Sequence, residues 1–296
     1  MLNRLLRLRT SLDPVVKPHG HYAMVRNEIP ESLLQDCQCY AQGLNERLPS
    51  DKKLEYDSAL PRKPPAYQKH VLLMSPPNVQ SAEPVWKRDW HSKIELDYTW
   101  PYSTLGKIKR HLRDCSSGGV LINAISGERG LQFENEVEKG RAKFLVVPDM
   151  VMYEIDKTEI EIFTHFLANS DLSSDAAKTK FQGRPYTRDL ILVCGHYQRD
   201  IRCGVIAPRL IEELRRTDSV DPDVDLGIIS HIGGHKFAGN LLYYKQYKSN
   251  DGGYTGVDGL WFGKVTPQAV EVLMNGLRDG KIHEEWFRGA VSMRAQ

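Results

Sequence analysis

Membrane-length apolar runs are missing from this chain. No stretch approaches the roughly 18 residues that cross a bilayer, so no membrane span is expected. Cysteine is scarce: five in 296 residues, odd in number and irregular in spacing, make no disulfide scaffold and point to thiol or metal chemistry. Net charge is nearly absent, since 40 basic residues face 38 acidic ones. That balance excludes a polybasic nucleic-acid binder and a polyacidic solvating chain, and no nucleic-acid partner is expected. Common enzyme signatures are lacking too. No G-x-S-x-G elbow occurs. GLWFGKV (259–265) has three residues between its glycines and no Ser or Thr after the lysine, so it is not a phosphate loop. GGYTG (252–256) opens no helix, and HEEWF (283–287) lacks the second histidine of a zinc protease. Short-period repeats and low-complexity tracts are also missing.

Hydrophobic residues make up 41%, enough for real cores, and the length suggests about two domains. Residues 1–12 carry Arg4, Arg7 and Arg9 and no acid. On a helix, Arg4 and Arg7 share one face and Leu2, Leu5 and Leu6 the other, with Arg9 intruding. Arg-rich, acid-poor and amphipathic is the pattern of a mitochondrial presequence, placed at residues 1–25; a ragged basic terminus is the alternative. The expected location is mitochondrial, in the matrix and/or the intermembrane space.

Residues 31–65 are polar and proline-marked, read as one short helix and a loop. HVLLMS (70–75) is a buried strand, followed by helical spacing over 102–112. Strands are read at 120–125, 143–147 and 151–155, and a helix at 159–167. The polar stretch 171–187 is the expected linker. The second half restarts with a strand at 190–193 and a helix at 205–214 carrying Pro208 in its first turn. Strands at 226–230, 241–247 and 259–265 and a helix at 267–277 complete it. Both halves read strand, helix, strand, strand, strand, helix. The expected class is α/β, with two tandem thioredoxin-like domains at 26–170 and 188–296.

Chemistry concentrates between residues 194 and 240. Cys194 ends the strand DLILVC, and Cys203 follows after eight residues, near a helix N-terminus whose dipole favours thiolate. His231 and His235 follow the strand LGIIS, separated by a turn that holds Gly233 and Gly234 and lets both imidazoles face one centre. Two cysteines and two histidines suit mononuclear zinc, although Cys-x8-Cys is wider than zinc-finger spacing. They also suit a [2Fe–2S] cluster in which two histidines replace two thiolates. Unligated thiols are the third possibility. A standard Rieske pattern is excluded because Cys203 has no histidine just behind it; His196 is left as a spare candidate.

LVCGHYQRDIRCGVIAPRL and SHIGGHKFAGN resemble the two signatures of the sucrase/ferredoxin-like family, the thioredoxin-like ferredoxins. The resemblance runs most of the chain, through CQCYAQGLNERLPS, KHVLLMSP, GVLINAI, VVPDMVMYEI, LWFGKV and RGAVSM. It implies a [2Fe–2S] cluster in the C-terminal domain, with Cys194 and Cys203 on one iron and His231 and His235 on the other. The common family form has Thr where this chain has Gly195, which is not a ligand position. The implied function is one-electron transfer in mitochondrial redox maintenance, between redox-protein donors and acceptors that include thiol proteins. The implied protein is an electron carrier more than a stand-alone catalyst. The ligating histidines keep a second ring nitrogen, which would couple electron to proton. Cys37 and Cys39 are a candidate catalytic redox pair for a thiol–disulfide oxidoreductase, against the plainer reading of two loop thiols. Cys115 reads as structural. Asp200 and Arg202 read as groups that fix the cysteine loop. Lys236, Lys245 and Lys248 offer a docking face or a solvated sheet edge, and Trp261 and Phe262 a core strand. Arg288 and Gly289 belong to the tail motif without an assigned role.

Overall fold

The run Val71–Leu72–Leu73–Met74 has no polar alternation because both of its faces are covered, and it forms the inner part of a central strand. The computed structural model describes residues 20, 22–76, 83–115, 119–129, 131, 140–168, 181 and 183–294. Most of the expected presequence and of the expected linker lies outside the described residues. In chain order the elements are β1 (Ala23–Val25), α1 (Glu31–Arg47), β2 (Lys69–Met74), α2 (Val85–Arg88), α3 (Ser103–Cys115), β3 (Val120–Arg129), β4 (Arg141–Val147), β5 (Val151–Asp156) and α4 (Ile160–Ala168). The second half adds β6 (Arg184–Pro185), β7 (Asp189–Cys194), α5 (Ile201–Arg216), β8 (Val224–Ile229), β9 (Leu241–Lys248), β10 (Tyr254–Phe262), α6 (Val270–Arg278), β11 (Lys281–His283) and β12 (Phe287–Arg294).

Among the described residues, ten strands form one mixed, mostly antiparallel sheet in the order β12-β10-β9-β7-β8-β3-β2-β4-β5-β6. Within that sheet only β2/β3 and β7/β8 are parallel, and β1 pairs parallel with β11 in a separate two-stranded sheet. Each half repeats the same internal order, β3-β2-β4-β5 and β8-β7-β9-β10. The halves meet where β3 pairs antiparallel with β8, Ile125 opposite Ile229 and Gly127 opposite Gly227. One sheet and one apolar core therefore run through both.

Several local readings differ from the sequence-based expectation. Helix α5 begins at Ile201, because Asp200 caps it by accepting from Arg202 N–H, so Pro208 lies inside the helix and not in its first turn. Helix α1, read as one short helix, has 17 residues, although its buried positions are only Cys37, Ala41 and Leu44. Strand β10 starts five residues early, at Tyr254, and the chain ends in a further strand, β12.

The sheet curls until Tyr244 on β9 reaches His70 on β2, four places along it. Trp261 Nε1 donates to Tyr67 OH (3.4 Å), Tyr67 and Tyr244 hydroxyls meet at 3.1 Å, and Tyr244 OH meets His70 Nδ1 at 2.6 Å. His70 Nε2 meets Asn123 Oδ1 at 2.9 Å, and Asn123 Nδ2 donates to Ser230 Oγ (2.8 Å) and to the His231 carbonyl (3.1 Å). An indole N–H only donates, and the Asn123 amide nitrogen is committed to Ser230 and His231. His70 therefore donates from Nε2, and because burial favours the neutral ring, Nδ1 accepts from Tyr244.

Candidate functional site

Strand β7 delivers Cys194 to the core at the end of five fully buried residues. Its N–H donates to the Asn240 carbonyl (3.0 Å), and the next N–H, of Gly195, donates to Ile229 (3.1 Å). Glycine is required at 195 because a Cβ there would stand 2.5 Å from Ile228 Cγ2 and 2.9 Å from Ala207 Cβ. The chain then turns on the His196 carbonyl, which accepts from Arg199 N–H and Asp200 N–H. Gly204 packs against Tyr197, where a Cβ would lie 2.7 Å from the Tyr197 Cα. That close approach brings Cys203, in the first turn of α5, against Cys194.

Both thiols are fully buried and lie against each other, close enough to share a proton. The hydrogen bond between them, with help from His231 and the Ile232 N–H, holds Cys194 well below the usual thiol range despite burial. Cys203 is pushed well above it by the same bond and by burial. The helix dipole favours thiolate at Cys203, whereas the donors around Cys194 favour it there.

The histidines sit on a turn in which Gly233 (φ 84°) and Gly234 (φ 72°) adopt the left-handed conformation. The His231 and His235 rings come together with centroids 5.2 Å apart. His231 also contacts Cys194. The Nδ1 atoms of both rings are buried and have no hydrogen-bond partner. Burial holds His235 below the usual imidazole range, partly offset by Asp200, whose Oδ2 lies 3.8 Å from His235 Nε2.

His196 is not a fifth donor. Its Nδ1 accepts the His231 N–H (3.3 Å) and its Nε2 donates to the His91 carbonyl (3.0 Å), so it braces the turn. Asp200 and Arg202 form a buried bidentate pair, with both contacts at 2.8 Å, and Arg202 also donates to the Lys53 carbonyl. They fix the cysteine loop, as the sequence suggests. Sequence reasoning missed Asn240 and left Arg288 without a role. Asn240 joins the whole site: its carbonyl holds Cys194 N–H, its Nδ2 donates to Gly234 O (3.0 Å), and its Oδ1 accepts from Arg288 Nη1 (2.8 Å). The available signals were the asparagine closing SHIGGHKFAGN and the arginine opening RGAVSM.

Among the described residues, no three His, Cys, Asp or Glu side chains converge on one point as a set able to hold a single metal ion. The four donors stand instead as two pairs, thiol against thiol and imidazole against imidazole, which touch where His231 meets Cys194. Cys37 and Cys39 are not brought together. They lie two residues apart on α1 and face opposite sides, Cys37 buried beside Thr266 Oγ1 and Cys39 exposed, and both are free. Cys115 ends α3, and its side chain lies outside the described residues. Lys236 pairs with Glu55 and Lys245 with Asp189, each at 2.6 Å, and Trp261 and Phe262 are fully buried.

Residues 60–289 match the sucrase/ferredoxin-like family. Relatives named altered inheritance of mitochondria protein 32 are similar over nearly the whole chain. That of Eremothecium gossypii is 38% identical over 302 residues, covering 93% of this chain and 94% of its own. That of Saccharomyces kudriavzevii is 38% identical over 303 residues, covering 92% and 95%. That of Kluyveromyces lactis is 35% identical over 307 residues, covering 93% and 90%. No solved structure matches the chain.

Proposed function

Because the chain belongs to the sucrase/ferredoxin-like family, we propose that it is a [2Fe–2S] electron carrier of mitochondria. Cys194 and Cys203 would hold one iron and His231 and His235 the other. The single observation that carries this reading is the pair of orphaned Nδ1 atoms beside two free, buried thiols that lie together. Buried imidazole nitrogens are ordinarily satisfied, and two left open on one turn are free to ligate. The donors also come in pairs, as a two-iron centre needs. When bound, the cluster supplies one-electron chemistry, at a potential raised by exchanging two thiolates for neutral imidazoles.

The chain's own residues set up that chemistry. Asp200, locked by Arg202, faces His235 Nε2, and His196 and Asn123 hold the backbone of His231. The His235 side chain is 37% exposed, so its Nε2 is the atom at which a proton would exchange with solvent as the site gains an electron. We read the repeated strand order as two thioredoxin-like units, residues 26–170 and 188–296, joined through 171–187, with the second unit the ferredoxin. The N-terminal arginines and the names of the relatives support a mitochondrial location, and the partners would be redox proteins that give and take single electrons.

Purification without oxygen tests the reading. A red-brown protein with iron and acid-labile sulfide near two per chain is expected. His231→Cys and His235→Cys should each move the visible and EPR spectra toward the all-thiolate type. The midpoint potential should fall as pH rises if His235 carries the coupled proton. A preparation that binds zinc and never iron would refute the cluster.

A further inference from the structure

Arg288 occupies an unusual place in the fold. In the β10/β12 ladder, Trp261 faces Gly289 and Phe262 faces Phe287, so Arg288 is the extra residue of a bulge. A bulge turns a side chain out of its normal alternation, and here it sends a guanidinium inward. The residue is only 6% exposed. Nη1 donates to Asn240 Oδ1, Nε is buried without a partner, and among the described residues no carboxylate pairs with it. The guanidinium lies against Gly234, where a Cβ would stand 2.8 Å from Nη1 and 3.0 Å from Cζ and Nη2. Glycine at 234 thus serves the left-handed turn and the arginine together. A buried cation without a carboxylate needs another negative partner. The groups that favour its charge against burial are Cys194 and Cys203.

We propose that Arg288 is the fixed counter-charge of the site formed by Cys194, Cys203, His231 and His235, a tuning residue that stabilises the state with one more electron. This rests on the cluster reading. Two thiolates and two neutral imidazoles leave an oxidised [2Fe–2S] centre formally neutral, and one electron from a donor protein makes it singly negative with no bond broken. A buried guanidinium is always protonated, so its attraction acts on the reduced state and raises the potential.

The test uses the full chain purified without oxygen, as wild type, Arg288→Lys and Arg288→Gln. Each is checked by circular dichroism for fold and by iron content, then titrated spectroelectrochemically. Arg288→Gln should disfavour reduction by about tenfold, a fall of about 59 mV for one electron. Arg288→Lys, which keeps the charge, should stay close to wild type. Colour lost in the glutamine variant and kept in the lysine variant would support the same claim. A coloured wild type with an unchanged midpoint in Arg288→Gln would overturn the inference and leave the cluster standing. Equal loss of fold, colour or potential in both variants would make Arg288 a packing residue and overturn it as well. An iron-free wild type would overturn the cluster and this inference together.

Discussion

Acid should unfold this protein partly through one histidine. His70 is fully buried, and burial brings its pKa down to about 4, with the Asn123 hydrogen bond opposing the shift. Protonation would place a second N–H against the Tyr244 hydroxyl, which would have to turn its own proton toward Tyr67. Tyr67 would then accept from both Trp261 and Tyr244, and its own O–H would lose the Tyr244 oxygen as acceptor. Between the ordinary histidine value of 6.5 and about 4, the unfolded chain binds a proton that the native chain refuses. Stability therefore rises with pH across that window and is lost as pH falls through it; below about 4 both states are protonated and the slope vanishes. At about 1.36 kcal/mol per pH unit, the gap corresponds to about 3 kcal/mol. His70→Gln can still donate to Asn123 Oδ1 and accept from Tyr244, so it should be near wild type at neutral pH and carry no such proton. Urea unfolding of both proteins between about pH 7 and pH 4 measures the difference. A wild-type-minus-variant stability that stays constant across the window would refute the reasoning.

Other substitutions give separate readings. Asp200→Asn leaves Arg202 buried without its opposite charge and should cost about 3–5 kcal/mol in denaturant unfolding; a loss under about 1 kcal/mol would mean the pair is not holding the loop. Gly195→Thr forces a branched side chain between Ile228 and Ala207 and should cost about 1–3 kcal/mol in thermal unfolding, with Gly195→Ala the milder change. In the native protein iodoacetamide should label Cys39 and leave Cys37 unmodified until the chain unfolds, as read by mass spectrometry; equal labelling would show that α1 opens.

Much of the site was readable because its chemistry is local. Cys194 and Cys203 bracket one strand-to-helix turn, and His231 and His235 one glycine turn, so short motifs hold each pair. The order of elements along each half was readable for the same reason, since apolar runs and helical stripes alternate along the chain; the order of strands in the sheet was not. What failed depends on distant partners. The seam between β3 and β8 joins residues about a hundred positions apart, and nothing in local periodicity records it. The start of β10 was hidden by Gly256 and Asp258, the latter buried and answered by Ser292 on β12. Pro208 suggested a helix start because the real cap, Asp200, lies eight residues earlier. Arg288 carried no visible role because a bulge, not alternation, decides which way it points.

The seam also bears on what can be cut from this protein. Every candidate ligand comes from the second half, and a fragment of residues 188–296 would keep all four. It would also lay bare the outer edge of β8, whose open N–H and C=O groups would recruit stray strands, and it would strip Asn123 from the carbonyl of His231. The first half is thus a resident escort, carried in the same polypeptide and never dismissed.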